Sequence, residues 1–451
     1  MASPQPASAC PQLTEAWAVV ALLTLAYVVS FIDRQIVALL IRPIRAELGL
    51  GDFQMSWILG PAFALCFSLF GLPLGWLADR VRRTRLVAAG IAVWCVMTAA
   101  CGLAASPLQL FLARMGVGLG EAVLAPCALS LISDLFPRDS LARPIGVYSM
   151  GVSMGSGLAL IIVGQTVAWL EAGGHALFAP LGIHSPWRAA FLLVGLPGLI
   201  LAPLLLAARE PARSDRLAAA AAGAGGGPAL RHAGRYIVEH WRIYVPLFAG
   251  KMVVNLMAYA HYWMTPLFER TWGWAAADVG RIFGSVVLVA GLIGVNLGGW
   301  LCDRGYRSGQ RAAALRAMWW SLAVIIPLHT AAPFAASGAL ALALFFPALL
   351  AAALASAAAS TATMLVTPNE FRGQVAALSL LVAGGLGQML GPTSVAFLTD
   401  FVFRDESALR YSLAIAVAFF SIIGLALLGW GLPHYRAGLE QLEGRLTATA
   451  R

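Results

Sequence analysis

Twelve stretches of roughly 18 or more mostly apolar residues recur along this chain, more than the core of a soluble domain can use. They are read at 16 to 41, 53 to 77, 86 to 105, 108 to 135, 144 to 170, 187 to 207, 244 to 268, 276 to 301, 313 to 334, 338 to 366, 374 to 402 and 408 to 432. Inside hydrocarbon every backbone N–H and C=O must be paired, and long runs rich in Ala, Leu and Gly achieve this as helices, not as the short alternating strands of a barrel. Hydrophobic residues make up 60% of the chain and charged residues 11%, which leaves too little polar surface to cover a soluble globule. The expected class is an all-α polytopic membrane protein of 12 transmembrane helices. Its expected parts are a tail (1–15), an N-terminal six-helix bundle (16–207), a linker (208–243), a C-terminal six-helix bundle (244–432) and a second tail (433–451).

The halves are related. Gly75-Trp76-Leu77-Ala78-Asp79-Arg80-Val81-Arg82-Arg83 returns as Gly299-Trp300-Leu301-Cys302-Asp303-Arg304-Gly305-Tyr306-Arg307, at a constant offset of 224, about half the chain. Each copy sits where an apolar run meets a cluster of arginines. One junction between membrane helix and basic loop has therefore been duplicated, which points to transport.

Arginine sets the expected orientation. With both termini in the cytoplasm, the inner loops and tails carry 20 arginines and the outer loops 7, the bias expected of a protein of the inner (plasma) membrane. The net charge of +9 is then mostly a topology signal facing lipid phosphates, and no nucleic-acid partner is expected. Residues 1 to 14 lack Lys and Arg, and the first span runs past signal-peptide length into Asp33-Arg34, so it is expected to stay attached. No HExxH or CxxC occurs, so neither a metal nor a cofactor is expected. Lys251, the single lysine, is followed by Met252, which removes the Gly-Lys-Ser/Thr of a nucleotide-binding loop. Transport would draw on a gradient. With no Ser/His or His/Asp constellation near a membrane face, an enzyme is not expected, and a lipid-modifying enzyme is a remote alternative.

The two GWLxDRxxR copies resemble the loop motif of the major facilitator superfamily, whose members rock one six-helix half against the other. The resemblance covers about 15 to 432. It implies a gating latch at Gly75, Asp79, Arg80 and Arg83 and at Gly299, Asp303, Arg304 and Arg307, an acid beside arginines that pairs in one conformation and releases in another. Arg82 stands where the family often has glycine. Phe31-Ile32-Asp33-Arg34-Gln35, Arg114-Met115-Gly116-Val117-Gly118-Leu119-Gly120-Glu121-Ala122 and Ser133-Asp134-Leu135-Phe136-Pro137 are similar to the spinster-like branch, whose relatives move lysolipids or phosphorylated sphingoid bases. The anion–cation symporter branch, which moves sugar acids, shares part of the pattern. A small organic-anion symporter or a drug exporter is thus the alternative.

An ionisable residue among apolar neighbours is costly and normally faces the bundle interior. Asp33, Arg34, Arg114, Glu121 and Lys251 are such residues. At 1.5 Å per residue Glu121 falls about 20 Å from the outer end of its span, near the midplane, and with Asp33 is the candidate for proton coupling. Asp33 and Arg114 both fall in the outer half and are close enough in depth to pair, as a permanent clamp or as part of the transport cycle. On the seventh span Lys251, Asn255 and Tyr259 repeat at i, i+4 and i+8, one polar stripe. With Arg34 and Arg114 they would make a cavity suited to an anionic headgroup, unless Lys251 snorkels to the lipid headgroups. Asn255, Asn296 and Gln388 read as hydrogen-bond links between helices, and Phe248, Tyr262, Trp263 and Phe268 as cover for an apolar tail. Gly118, Gly151, Gly155, Gly157, Gly384, Gly387 and Gly391 are read as sites of close packing or bending. The expected partners are a small-molecule or lipid substrate, protons and membrane lipids, with a monomer as the working unit.

Overall fold

The computed structural model describes residues 13–78, 80–137, 140–211, 226–368 and 371–449. Those residues are helical with short connections, and no strand occurs among them. Twelve helices are long and apolar enough to cross a membrane: α1 (Leu13–Leu39), α2 (Asp52–Gly71), α3 (Arg83–Leu103), α4 (Pro107–Leu135), α5 (Arg143–Glu171), α6 (Pro186–Ala207), α7 (Trp241–Trp272), α8 (Ala276–Arg307), α9 (Ala313–Phe334), α10 (Gly338–Val366), α11 (Gln374–Phe403) and α12 (Glu406–Leu442).

The duplication seen in the sequence returns in local structure. Ser106 caps α4 by accepting from the Gln109 amide at 3.3 Å, and Ser337 caps α10 by accepting from Leu340 at 3.3 Å. The halves meet along two seams, α5 against α8 and α2 against α11. Glycine permits the first: a Cβ on Gly157 would lie 2.5 Å from the Leu288 Cβ and 2.8 Å from the Gly284 carbonyl.

Several spans are interrupted. The α1 helix stops at Leu39 and the chain continues as the short helix Ile41–Leu48, ended by Gly49 in the left-handed region. In α7 a 3₁₀ turn at His261–Trp263 separates Trp241–Ala260 from Met264–Trp272. His261 and His329 of α9 meet there with Nε2 atoms 3.0 Å apart, between the rings of Phe283 and Phe345. In α11, π-helical turns at Leu380–Gly385 and Leu398–Phe403 bracket an α-helical middle.

Two boundaries differ from expectation. The last helix runs unbroken to Thr449, past the boundary expected at 432 and through Pro433. The linker contains a helix, Gly226–Glu239, and the Ala/Gly tract before it lies mostly outside the described residues. Tyr236 of that helix stacks on Phe371 at 4.9 Å, which docks it onto the C-terminal half.

Candidate substrate and coupling site

Neighbouring residues of α1, Asp33 and Arg34, point into the N-terminal bundle, and α4 brings Arg114 and Glu121 to them from two turns of one face. All four are buried. Arg34 donates to Glu121 Oε2 from Nε at 2.6 Å, and its Nη2 lies 2.6 Å from the same oxygen. The pair is charge-assisted and closed to solvent. It leaves Glu121 Oε1 without a hydrogen-bond partner. Three rings enclose the guanidinium: Phe31, Phe63 and Phe67 have centroids 4.9, 4.7 and 5.0 Å from its central carbon. Gly118 makes this possible, because a Cβ there would collide with the Phe63 carbonyl and push α2 away from α4.

The expected Asp33–Arg114 pairing takes another form. Arg114 Nη1 donates to the backbone carbonyl of Asp33 at 2.9 Å, not to its carboxylate. Both carboxylate oxygens of Asp33 are buried without a hydrogen-bond partner, as is the Thr98 hydroxyl. The reason is angular. Residues 33 and 34 are about 100° apart around the helix, and the longer arm of Arg34 reaches the midplane carboxylate of α4.

The second half contributes α7. Of the stripe, Tyr259 comes within electrostatic reach of Arg34 and Glu121 across the two halves. Lys251 is half-buried on the same helix and makes no ion pair among the described residues. Asn255 and Asn296 do not link helices: each donates to the carbonyl four residues back, Lys251 at 3.0 Å and Leu292 at 2.7 Å. Gln388 is buried with its Nε2 unpartnered. The aromatic cover also needs correction, since Trp263 and Phe268 are fully buried and Trp263 donates to the Pro392 carbonyl at 2.9 Å. These two rings are core.

Among the glycines, Gly151 and Gly155 lie against Tyr27 and Phe31 of α1, and Gly387 and Gly391 press α11 onto α7, where a Cβ would lie 2.7 Å from the Asn255 Cβ and 2.5 Å from the Leu256 carbonyl. Gly384 meets only its own helix at ordinary contact distance and sits in the π-helical turn, where the backbone is free to bend.

The two repeat copies are unequal. Asp79 lies outside the described residues. Arg83 is buried and donates to Glu210 Oε1 from its amide and Nε at 3.1 and 2.9 Å, to Ser130 Oγ at 2.8 Å, and to Asp134. It ties α3 to the ends of α4 and α6 inside one half. Arg80 stacks on Trp76. In the second copy the helix runs through the motif to Arg307, and Asp303, Arg304 and Arg307 are exposed, with Arg304 over Trp300. Gly75 has only Pro126 near it and Gly299 has open space.

A seal that was not legible in the sequence joins the halves at the face opposite the termini. Asp52, at the start of α2 and wholly buried, accepts from Arg270 at the end of α7 at 2.7 and 2.8 Å, and Arg45 Nη1 lies 2.6 Å from it. Glu406, at the start of α12, takes Arg45 in a two-point contact at 2.8 and 3.3 Å. Asp400 of α11 accepts from the Phe53 amide at 2.8 Å. No local signal marks the cross-half contacts of Arg45 and Arg270, because Glu406 lies 361 residues from Arg45 and Asp52 lies 218 residues from Arg270.

A family model described as the Major Facilitator Superfamily matches residues 23–392. The chain belongs to that superfamily. It is 27% identical over 428 residues to an MFS-type efflux pump of Mycolicibacterium smegmatis, covering 93% of this chain and 94% of that protein. It is 27% identical over 270 residues to a probable sphingolipid transporter, spinster homolog 2 of Arabidopsis thaliana, covering 56% and 52%. The crystal structure of a bacterial homolog to the human lysosomal transporter Spinster, inward-facing and unoccupied, superposes with a TM-score of 0.77 at 25% identity, covering 95% of this chain and 98% of that one. The protein is therefore a spinster-like, multi-pass membrane transporter of this superfamily and not an enzyme.

Proposed function

We propose that the protein is a proton-coupled secondary transporter that moves an anionic amphiphile, such as a lysophospholipid or a phosphorylated sphingoid base, by rocking its two halves. The observation that carries this reading is the buried Arg34–Glu121 pair, which stands beside an unpartnered Asp33 carboxylate and faces Tyr259 of the other half. A guanidinium held by one carboxylate can exchange that partner for a phosphate or carboxylate of similar shape. Protonation of Glu121 frees Arg34, the substrate anion takes its place, and Lys251 supplies a second positive charge from the opposite half. Asp33 offers two unpaired oxygens to the same proton. The phenylalanine faces around Arg34 accept the start of an apolar chain.

The glycine-packed seams serve as the surfaces of rocking, the π-helical turn at Gly384 as a hinge, and the repeat copies as latches. The bias of arginine toward the loops on the side of the termini supports cytoplasmic termini in the plasma membrane, and the proposed working unit is a monomer made of bundles 16–207 and 244–432. Uptake in proteoliposomes tests the reading. Glu121→Gln should leave a folded protein whose transport no longer follows the pH gradient, and Lys251→Ala should lower uptake at least tenfold. Unchanged pH dependence refutes the proton role. Stabilisation by drug-like cations, with none by lysolipids, would move the protein to the efflux class of its mycobacterial relative.

A further inference from the structure

The sealed face holds a pocket of about 490 Å³ between the short helix Ile41–Leu48, the end of α7 and the start of α12. Its polar wall carries Arg42, Arg45 and Arg270 with Glu269 and Glu406, and its apolar wall Ile41, Leu50 and Pro266. We propose that this pocket is a second anion site, distinct from the one at Arg34, which receives the phosphate or carboxylate headgroup of an amphiphile at the sealed face. The inference rests on the reading that the transported molecule is anionic.

Three observations support it. Charge balances only with the carboxylate of Glu406 in place: Arg42, Arg45 and Arg270 stand against Asp52, Glu269 and Glu406, and removing Glu406 leaves one positive charge. Glu406 is also the member with the loosest hold. Its side chain is 62% exposed, whereas Asp52 is 0% exposed behind the same arginines, so an arriving anion meets Glu406 first. Finally, Arg45 grips Glu406 at both oxygens, the forked geometry that guanidinium also offers to phosphate, so Glu406 occupies the place a headgroup would take. The buried Ile41 and Leu50 beside this fork give the first carbons of an acyl chain an apolar wall. Its volume falls within the range of small-molecule sites, and its charged lining suits a polar headgroup.

The test is equilibrium binding of lysophosphatidic acid to the full chain in nanodiscs, with the neutral monoacylglycerol of equal chain length as control. All measurements use the Arg34→Ala, Lys251→Ala background, which removes both positive charges proposed for the central site. Glu406→Gln removes the internal competitor and should tighten binding about tenfold, and Arg42→Gln, which touches none of the ion pairs of the seal, should weaken it about tenfold. Binding of the neutral lipid at equal strength would show an apolar crevice without anion selection and overturn the proposal. So would indifference to both substitutions, or loss of all binding in the doubly substituted background alone. Because the central site is silent throughout, failure of the vestibule leaves the transport reading standing, and failure of transport leaves vestibule binding measurable.

Discussion

Replacing Asp52 with Asn isolates the energetic contribution of the seal. The substitution keeps the shape of the side chain and removes the charge that two guanidiniums share at 2.6 to 2.8 Å. Breaking a buried ion pair costs about 3–5 kcal/mol. Arg45 and Arg270 retain 13% and 19% exposure and keep Glu406 as a partner, so the loss here should be smaller, about 2–3 kcal/mol. The two-point contact with Arg270 joins the two halves and exists only while they meet at that face, whereas Arg45 and Asp52 belong to the same half. Only the Arg270 share of the loss, about 1–2 kcal/mol, falls on the sealed conformation. A loss of that size shifts the equilibrium between conformations roughly 5- to 30-fold. Spin labels at Ala46 and Arg404, both exposed and on opposite halves, would report the change as a longer distance population in double electron–electron resonance. Glu406→Gln should shift the populations less, by under about 1 kcal/mol, since an exposed pair contributes little. An unchanged distance distribution for Asp52→Asn, or a fall in melting temperature without redistribution, would refute the assignment of a cross-half seal.

Glu210 supports a separate test by pH. Burial raises its pKa, but hydrogen bonds from the Thr84 and Arg83 amides and side chains outweigh that and hold it below the ordinary carboxylate value. A lowered folded-state pKa stabilises above the unfolded value of about 4.3 and is lost as pH falls through the folded one. The stability difference between wild type and Glu210→Gln should be full near pH 7, begin to shrink as pH falls toward about 4.3 and vanish only below the depressed folded-state pKa, and a difference independent of pH would reject the ionic role. Gly157→Val puts a branched side chain where even a Cβ lies 2.7 Å from the Leu288 Cα, so uptake should fall more than tenfold while each half keeps its helical content by circular dichroism. Arg34→Lys keeps the charge but loses the fork and the planar stacking on Phe31, Phe63 and Phe67, and should raise the half-saturating substrate concentration of proteoliposome uptake about tenfold.

How much of this was legible in the sequence depended on whether the signal was local. Hydrocarbon imposes one rule on every span, so the number of helices and the division into halves followed from apolar runs alone, and the repeat at Asp79 and Asp303 marked equivalent junctions. The rule is silent on chain that has left the hydrocarbon. The helix after Pro433 and the one at Gly226–Glu239 lie beyond its reach. The insertion cost of a charge identified Asp33, Arg34, Arg114 and Glu121 as interior residues, and all four are buried.

Pairing among those four was a different matter, because depth along a helix axis does not specify direction around it. Asp33 and Arg114 were matched by depth, yet the direction of Arg34 and its length give it the carboxylate of Glu121, and Arg114 is left to a backbone carbonyl. The outcome is more consequential than the pairing it replaced. An Asp33–Arg114 clamp would neutralise two charges and leave no unbonded acid beside Glu121. The arrangement found concentrates one strong ionic contact at the midplane and leaves an acid beside it with both oxygens unbonded. Two carboxylates and two guanidiniums in a water-poor site then differ in what they can accept: Glu121 must release Arg34 to take a proton, whereas Asp33 has nothing to release. Under the proposed mechanism a proton reaching Asp33 leaves the substrate contact of Arg34 untouched, and one reaching Glu121 creates it. Asp33→Asn and Glu121→Gln should therefore separate, the first altering the pH at which transport begins and the second abolishing the pH dependence. Identical effects of the two substitutions on proteoliposome uptake would mean that the acids act as one site.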